Sequence, residues 1–404
     1  MARQRPTSRS EPAAARPAPA ARGLAASATA FLGGVLFPFA LTRAALLVVA
    51  WFATQLAPSW TYADPVGSTR GWLHVPELVL DVWGRYDTWW YLGLATDGYR
   101  PVPDLVHDQS NLAFFPLYPA LVRWLHALLP AARRGDPARY TIAVLVANAC
   151  AVAGAWVVHE LVRRRWRDER LARRVVLYLL LFPTGFFLSC AYSESLFLLL
   201  SAGAFLAAQG GRWWIAGACA ALAALTRSTG ILVTPALVVL YASQPPDPGR
   251  RFRWDALALL IAPAALLAHA LHLASLSGDP MAMLHAQSAW GRAPTAPWET
   301  LARTPHPVMG PLELCGVALF VALAIALLVQ REYALGAFAG LSLCPVLLSG
   351  TLMSSTRFLA VVFPAFIPLA RLGANEHADR VVVVVFGFLQ AVLFVAWSRF
   401  YWVA

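Results

Sequence analysis

From residue 31 onward, long apolar runs alternate with short arginine-bearing connections. The runs fall at roughly 31–56, 138–161, 172–190, 195–210, 212–226, 229–243, 255–276, 309–330, 333–349, 358–371 and 380–398. A helix of about 20 apolar residues crosses the hydrocarbon core of a bilayer, and shorter ones are tolerated inside a bundle. The pattern therefore predicts an all-α polytopic membrane protein with about 11 transmembrane helices. One apolar segment, "AFFPLYPALVRWLHALL" (113–129), breaks the rhythm. Pro116 and Pro119 at its start, with Arg123 and His126 set against an apolar side, predict a helix lying at the interface rather than a crossing.

Composition sharpens this. Of 404 residues, 59% are hydrophobic and 13% charged, and the mean hydropathy is +0.59. A soluble domain carries about 25% charged residues. The net charge of +11 does not point to nucleic acid, because the arginines cluster at the ends of the apolar runs. With the N-terminus inside, the tail and the even-numbered connections ("RRRWRDERLARR", "GGR", "QPPDPGRRFR", "QRE", "RLGANEHADR") hold 19 of the 32 arginines. That is the positive-inside pattern, with "AARRGDPAR" (131–139) left outside as its weak spot. Residues 1–28, rich in Arg, Pro and Ala, read as a disordered cytoplasmic tail. Residues 29–404 form one transmembrane domain, of which 57–137 is the first extracytoplasmic loop. Cys150, Cys190, Cys219, Cys315 and Cys344 all lie within apolar runs and read as buried thiols rather than disulfides.

Under this topology the polar oddities gather at one face. They are "WGRYDTWW", "NLAFFPLYP", "YSES" (192–195), "TRSTG" (226–230), "GDPMAMLHAQSAWGR" (278–292) and "SSTRF" (354–358). Ionisable groups at membrane depth are costly and mark function by default. Asp87 lies among Trp83, Tyr86, Trp89, Trp90 and Tyr91. It reads equally as an acid in a sugar-stacking site and as a member of an aromatic belt, paired to Arg85. Arg227, Arg292 and Arg357 each fall at the outer end of a helix or in an outer loop. They could converge on a phosphate, or each snorkel alone to the headgroups. Glu194 and His285 are lesser candidates for orienting polar groups. His269 and His272 have a metal-like spacing but no third ligand on their helix. The chain has no glycine-rich phosphate loop and no strand–helix alternation to grip a sugar nucleotide. A transferase built this way would take its donor from the bilayer, linked to a polyprenyl phosphate. One carboxylate would then suffice as base, because a phosphate leaves without protonation while cations hold its charge.

The ordered segments "RYDTWWYLGLATDGY", "AFFPLYP", "FPTGFFLSCAYSESLFLLL", "ALTRSTGILV", "HAQSAWGR" and "STRFLAVVFPAF" resemble the PIG-V-type mannosyltransferases, a family with bacterial relatives. The likeness spans about 80–368. It implies a GT-C glycosyltransferase fold with interfacial helices in the first outer loop and an acidic base there. It also implies a polyprenyl-phosphate sugar donor, usually mannose, and inverting transfer without a metal or other cofactor. The family's Trp-Asp pair reads Tyr86–Asp87 here. Carried onto this chain, the resemblance implies Asp87 as general base and Arg227, Arg357 and Arg292 on the donor phosphate. Trp89, Trp90, Tyr118 and Tyr192 would shape the sugar or acceptor pocket with Glu194 and His285. Phe114, Phe115 and Pro116 would wedge the interfacial helix. The expected place is the cell (plasma) membrane, N-terminus cytoplasmic and active site extracytoplasmic. The acceptor is an unidentified glycan, lipid or protein. A transporter or flippase of a lipid-linked or polar solute, or a non-catalytic binder of lipid-linked sugar, are the alternatives.

Overall fold

A computed structural model describes residues 27–56, 74–101, 109–244, 254–303 and 307–403. Among these residues every regular element is helical. Chain order runs α1 (Ser27–Leu56), α2 (Thr88–Asp97), α3 (Leu117–Ala127), α4 (Asp136–Trp166), α5 (Glu169–Leu181) and α6 (Glu194–Gln209). It continues α7 (Trp213–Ala224), α8 (Val233–Ser243), α9 (Trp254–Ser277), α10 (Met309–Val329) and α11 (Tyr333–Leu347). The last three are α12 (Ser355–Leu359), α13 (Phe366–Leu372) and α14 (Glu376–Ser398). Five of them, α1, α4, α9, α10 and α14, are long and apolar enough to cross a bilayer. The remaining apolar helices are shorter, and they pack into the same bundle. Of the expected tail and loop, residues 1–26, 57–73 and 102–108 lie outside the described residues.

Two expected spans are broken, and proline explains both. The run 172–190 is helical only to Leu181. Pro183 has no N–H for the ladder, and it drives Phe182 before it to φ −49°, ψ 141°. Residues 182–193 then continue irregularly with a single 3-10 turn, Gly185–Leu188. The run 358–371 is broken at 360–362, between α12 and the 3-10 turn Phe363–Ala365 that leads into α13; Pro364 in that turn has no N–H to return to the Ala360 carbonyl. Irregular backbone at membrane depth survives only where protein supplies the missing hydrogen bonds.

Three helices supply them to 182–193. Arg43 of α1, which is buried, donates through Nε to Ser189 Oγ (2.8 Å) and through Nη2 to the Gly185 carbonyl (2.8 Å). Its Nη1 reaches the Leu180 carbonyl at 3.4 Å. Gln390 of α14 donates to the carbonyls of Leu180 (2.9 Å) and Phe182 (2.8 Å). Asn148 of α4 donates to the Ser189 carbonyl at 3.2 Å. The loop is thus tied by side-chain hydrogen bonds to α1, α4 and α14.

The segment 113–129 forms α3, a short helix beside α2. Arg123 and His126 do not share a solvated side as the sequence suggests. His126 is buried, and Arg123 bends back to donate to the carbonyls of Ala95 (2.7 Å), Leu94 (3.2 Å) and Thr96 (3.1 Å). It thereby caps the C-terminal end of α2, where unpaired carbonyls favour a cation.

Candidate functional site

The turn carrying Asp87 is fixed on both sides. Arg85 is buried, pairs with Asp81 at 2.9 Å one helical turn back and lies under the Phe400 ring at 4.2 Å. The other Asp81 oxygen accepts the His74 backbone N–H at 2.7 Å. Arg85 is therefore committed to Asp81, and the pairing of Asp87 with Arg85 that the sequence left open does not form. Tyr86 adopts φ +47°, a left-handed conformation that costs a non-glycine residue about 1 kcal/mol. Its ring packs against Trp397 (5.7 Å) and Trp402 (5.0 Å), and its hydroxyl donates to the Phe400 carbonyl. From the opposite side, Tyr192 Oη accepts the Asp87 N–H (3.0 Å) and donates to the Arg85 carbonyl (2.9 Å).

Asp87 occupies the N-cap of α2, where an aspartate ordinarily accepts an N–H two or three residues on. Its side chain makes no such bond. Oδ2 accepts instead from Arg357 Nη1 of α12 at 2.8 Å. Arg357 Nε lies 3.6 Å from Glu194 Oε1, and the same Glu194 oxygen pairs with Arg227 Nη1 at 2.5 Å. Glu194 opens α6 just after the irregular loop, and Arg227 sits at the end of α7. The tight turn Ser228–Leu232 that follows Arg227 needs Gly230, because a Cβ there would fall 2.1 Å from the Ala223 carbonyl oxygen. Arg292 approaches from the loop before α10. Its Nη1 donates to Gln287 Oε1 (2.7 Å), and Gln287 Nε2 donates to the Ala113 carbonyl (3.1 Å).

The three arginines gather around one aromatic ring. The guanidinium carbons of Arg227, Arg292 and Arg357 lie 5.1, 4.9 and 5.0 Å from the centroid of Phe358. Cations within about 6 Å of a ring centroid are drawn to its quadrupole, which offsets part of their mutual repulsion. Three guanidiniums face two carboxylates, so the cluster carries surplus positive charge. Arg292 has no carboxylate within ion-pair distance among the described residues. Burial, and after it the neighbouring Arg357, push its pKa down to about 10, while Asp87 acts in the opposite sense. Glu194 Oε2 and Arg357 Nε are buried without a protein hydrogen-bond partner. A desolvated set of this kind can bind an anion through planar donors.

The other expected residues divide. Tyr192 lies at the cluster, 5.3 Å from the Arg357 guanidinium, though it is wholly buried and acts as a brace. Trp90 stacks on Phe114 (5.7 Å) and meets Trp290 edge-on (5.9 Å), which joins the segment before α3 to the one carrying Arg292. Trp89 is 63% exposed and turns away from these rings. Tyr118 is wholly buried, donating to the Ala143 carbonyl at 2.8 Å, and so is a core residue without a free face. His285 lies in an exposed turn with Asp279 at 2.7 Å. There the Met281 N–H, and next His285 itself, hold the Asp279 carboxyl below the usual range. His269 and His272 both contact the Tyr99 ring, and no group of three metal-ligating side chains occurs among the described residues. The sequence assigned no role to Phe358 or to Tyr91. The latter, an aromatic of the Asp87 cluster, is buried with its hydroxyl 2.9 Å from Ser193 Oγ.

Residues 78–242 match the family model Mannosyltransferase (PIG-V). GPI alpha-1,6-mannosyltransferase 2 of Rattus norvegicus is 31% identical over 164 residues, 39% of this chain and 31% of that protein. GPI mannosyltransferase 2 of Yarrowia lipolytica (strain CLIB 122 / E 150) is 34% identical over 109 residues, 27% of this chain and 30% of that protein. The match thus spans about a third of the length of these curated relatives. Among solved structures, the apo oligosaccharyltransferase of Archaeoglobus fulgidus superposes with a TM-score of 0.47 at 14% identity, covering 89% of this chain and 56% of that one. The archaeal oligosaccharyltransferase AglB with an inhibitory peptide and a dolichol-phosphate gives a TM-score of 0.43 at 14% identity, with the same coverages.

Proposed function

We propose that this chain, which carries the PIG-V mannosyltransferase segment over residues 78–242, is a membrane glycosyltransferase. It moves a hexose, mannose on the strength of its relatives, from a polyprenyl phosphate to an acceptor hydroxyl. The observation that carries this reading is the convergence of two carboxylates, Asp87 on Arg357 and Glu194 on Arg227 and Arg357, with three guanidiniums around Phe358. The arginine distribution supports a cytoplasmic N-terminus and an extracytoplasmic site in a cell membrane.

The geometry supports a division of roles. The donor phosphate, entering among Arg227, Arg292 and Arg357, competes with Asp87 for Arg357. Asp87 is then free to take the proton of the acceptor hydroxyl as that oxygen attacks the anomeric carbon. The bond between the sugar carbon and the phosphate oxygen breaks, and its electron pair leaves with the lipid phosphate. The guanidiniums hold the charge that develops there. Attack opposite to departure inverts the anomeric centre. Glu194 keeps Arg227 and Arg357 in register through its shared oxygen. With guanidiniums in the cationic role, the reaction is proposed to need no metal.

An apolar groove of about 360 Å³ gives the lipid a place. It runs from Ile231, four residues after Arg227, along Pro263, Leu266 and Ala270 of α9 to Met281 and Leu284. Filling it through Ala270→Trp is expected to raise KM for a long-chain polyprenyl-phosphate sugar about tenfold, equivalent to the burial of one or two methylenes. A short-chain donor analogue should turn over unchanged. Equal losses for both donors would show that the groove does not hold the chain.

The reading as a whole is tested by incubating the purified protein with labelled polyprenyl-phosphate-mannose and membrane acceptors. Transfer of label with release of polyprenyl phosphate is expected. Passage of the lipid or a solute across liposomes with no bond made would replace the transferase by a transporter.

A further inference from the structure

We propose that Glu313 is a positioning residue for this reaction, a buried carboxylate that sets Arg357 and hence the Asp87–Arg357 contact. The inference rests on the lipid-phosphate reading of the arginine cluster. Glu313 is the one acid in α10, an otherwise apolar helix of crossing length, and it is buried. A carboxylate there is expensive unless its oxygens are engaged. Both are. Oε1 accepts the Ser354 N–H at 3.1 Å, and Oε2 accepts the Thr356 N–H at 2.8 Å together with the Ser355 hydroxyl.

These partners are the three residues immediately before Arg357. Ser354 is left-handed (φ +67°), so the chain reverses there and delivers successive donors to one point. α12 has only five residues, far below the length at which a helix sustains itself. Its orientation must come from outside. Gly316, one turn along α10 from Glu313 and on the same face, lets α12 dock closely: a Cβ there would meet Thr356 Cγ2 at 2.6 Å. On the opposite side, Thr184 Oγ1 of the irregular loop donates to the Thr356 carbonyl at 3.0 Å. Thr356 is held at its amide by Glu313 and at its carbonyl by Thr184, and the next side chain is Arg357. Without the Glu313 oxygens, α12 can tilt and the guanidinium swings off both Asp87 and the phosphate position.

Glu313→Gln keeps the shape but sets an amide NH₂ against N–H donors. Full-length protein in detergent is titrated with polyprenyl phosphate itself, and backbone hydrogen exchange is followed over 354–357. Glu313→Gln is expected to weaken polyprenyl phosphate binding about tenfold and to speed exchange at Ser354 and Thr356. In an Arg357→Ala background the same change should cost nothing further in binding, because it acts through Arg357. Glu313→Asp should recover part of the affinity. Equal loss in both backgrounds would assign Glu313 to general packing and overturn the proposal, as would unchanged exchange at 354–356. If wild type fails to bind polyprenyl phosphate, the donor reading falls, and the exchange result still decides whether Glu313 clamps α12.

Discussion

Asp87→Asn is expected to abolish sugar transfer, lowering kcat by a factor of about 10² to 10⁴ while the protein stays inserted and folded. The side chains are isosteric, and the amide oxygen can still accept from Arg357 Nη1, as the carboxylate does at 2.8 Å. What disappears is the capacity to take a proton. Glu194 stays 3.6 Å from Arg357, so the guanidinium does not become an uncompensated buried charge, the usual cause of collapse when one partner of a buried pair is removed. The substitution also removes the anion that competes with the donor phosphate. Polyprenyl phosphate should therefore bind Asp87→Asn at least as tightly as wild type. Loss of turnover with retained or improved binding separates a missing base from a broken site. A variant that transfers mannose within about threefold of the wild-type rate would strip Asp87 of its role.

Arg43→Leu should give the largest loss of stability, although it lies far from Asp87 in sequence. Its guanidinium supplies donors to Ser189 Oγ, the Gly185 carbonyl and the Leu180 carbonyl. Leucine fills part of the space and takes the donor from the Gly185 carbonyl and Ser189 Oγ, at about 1–3 kcal/mol for each orphaned group, while the Leu180 carbonyl keeps its bond from Gln390. Relief from burying a charge offsets a fraction of this, so a net loss of about 3 kcal/mol is expected. Intrinsic tryptophan fluorescence during heating in detergent would report it as a Tm lower by several degrees. Arg43→Lys keeps the charge without the planar fork and should recover only part of the difference. An unchanged Tm would mean that the loop 182–193 does not depend on Arg43.

The helices were readable because apolar length dominates at membrane depth: nine of the expected spans coincide with a helix, 172–190 begins as one, and 358–371 divides between α12 and α13. The breaks at Phe182 and Val362 were signalled by Pro183 and Pro364, but a run of apolar residues concealed them. Asp87, Glu194, Arg227, Arg292 and Arg357 stood out because charge is rare in such a chain. Their pairing did not, since Asp87 and Arg357 are 270 residues apart. Trp89 and Trp90 could not be sorted by type: neighbours on a helix differ by about 100° in direction, and only packing decides which one faces inward. Glu313, an acid inside an apolar span, meets the same rule of rare charge, but its role is not legible because the backbone donors it serves carry no sequence signal. Phe358 was hidden for a related reason, since its partners are cations from three separate segments.

The gathering of Arg227, Arg292 and Arg357 on a single ring has a kinetic corollary. In the proposed reaction the lipid arrives as a phosphodiester with one negative charge and departs as a monoester with nearly two. A cradle with surplus positive charge holds the spent carrier more firmly than the loaded one. The slow event in each cycle would then be the escape of polyprenyl phosphate, and the enzyme's throughput would follow how quickly the surrounding membrane clears it.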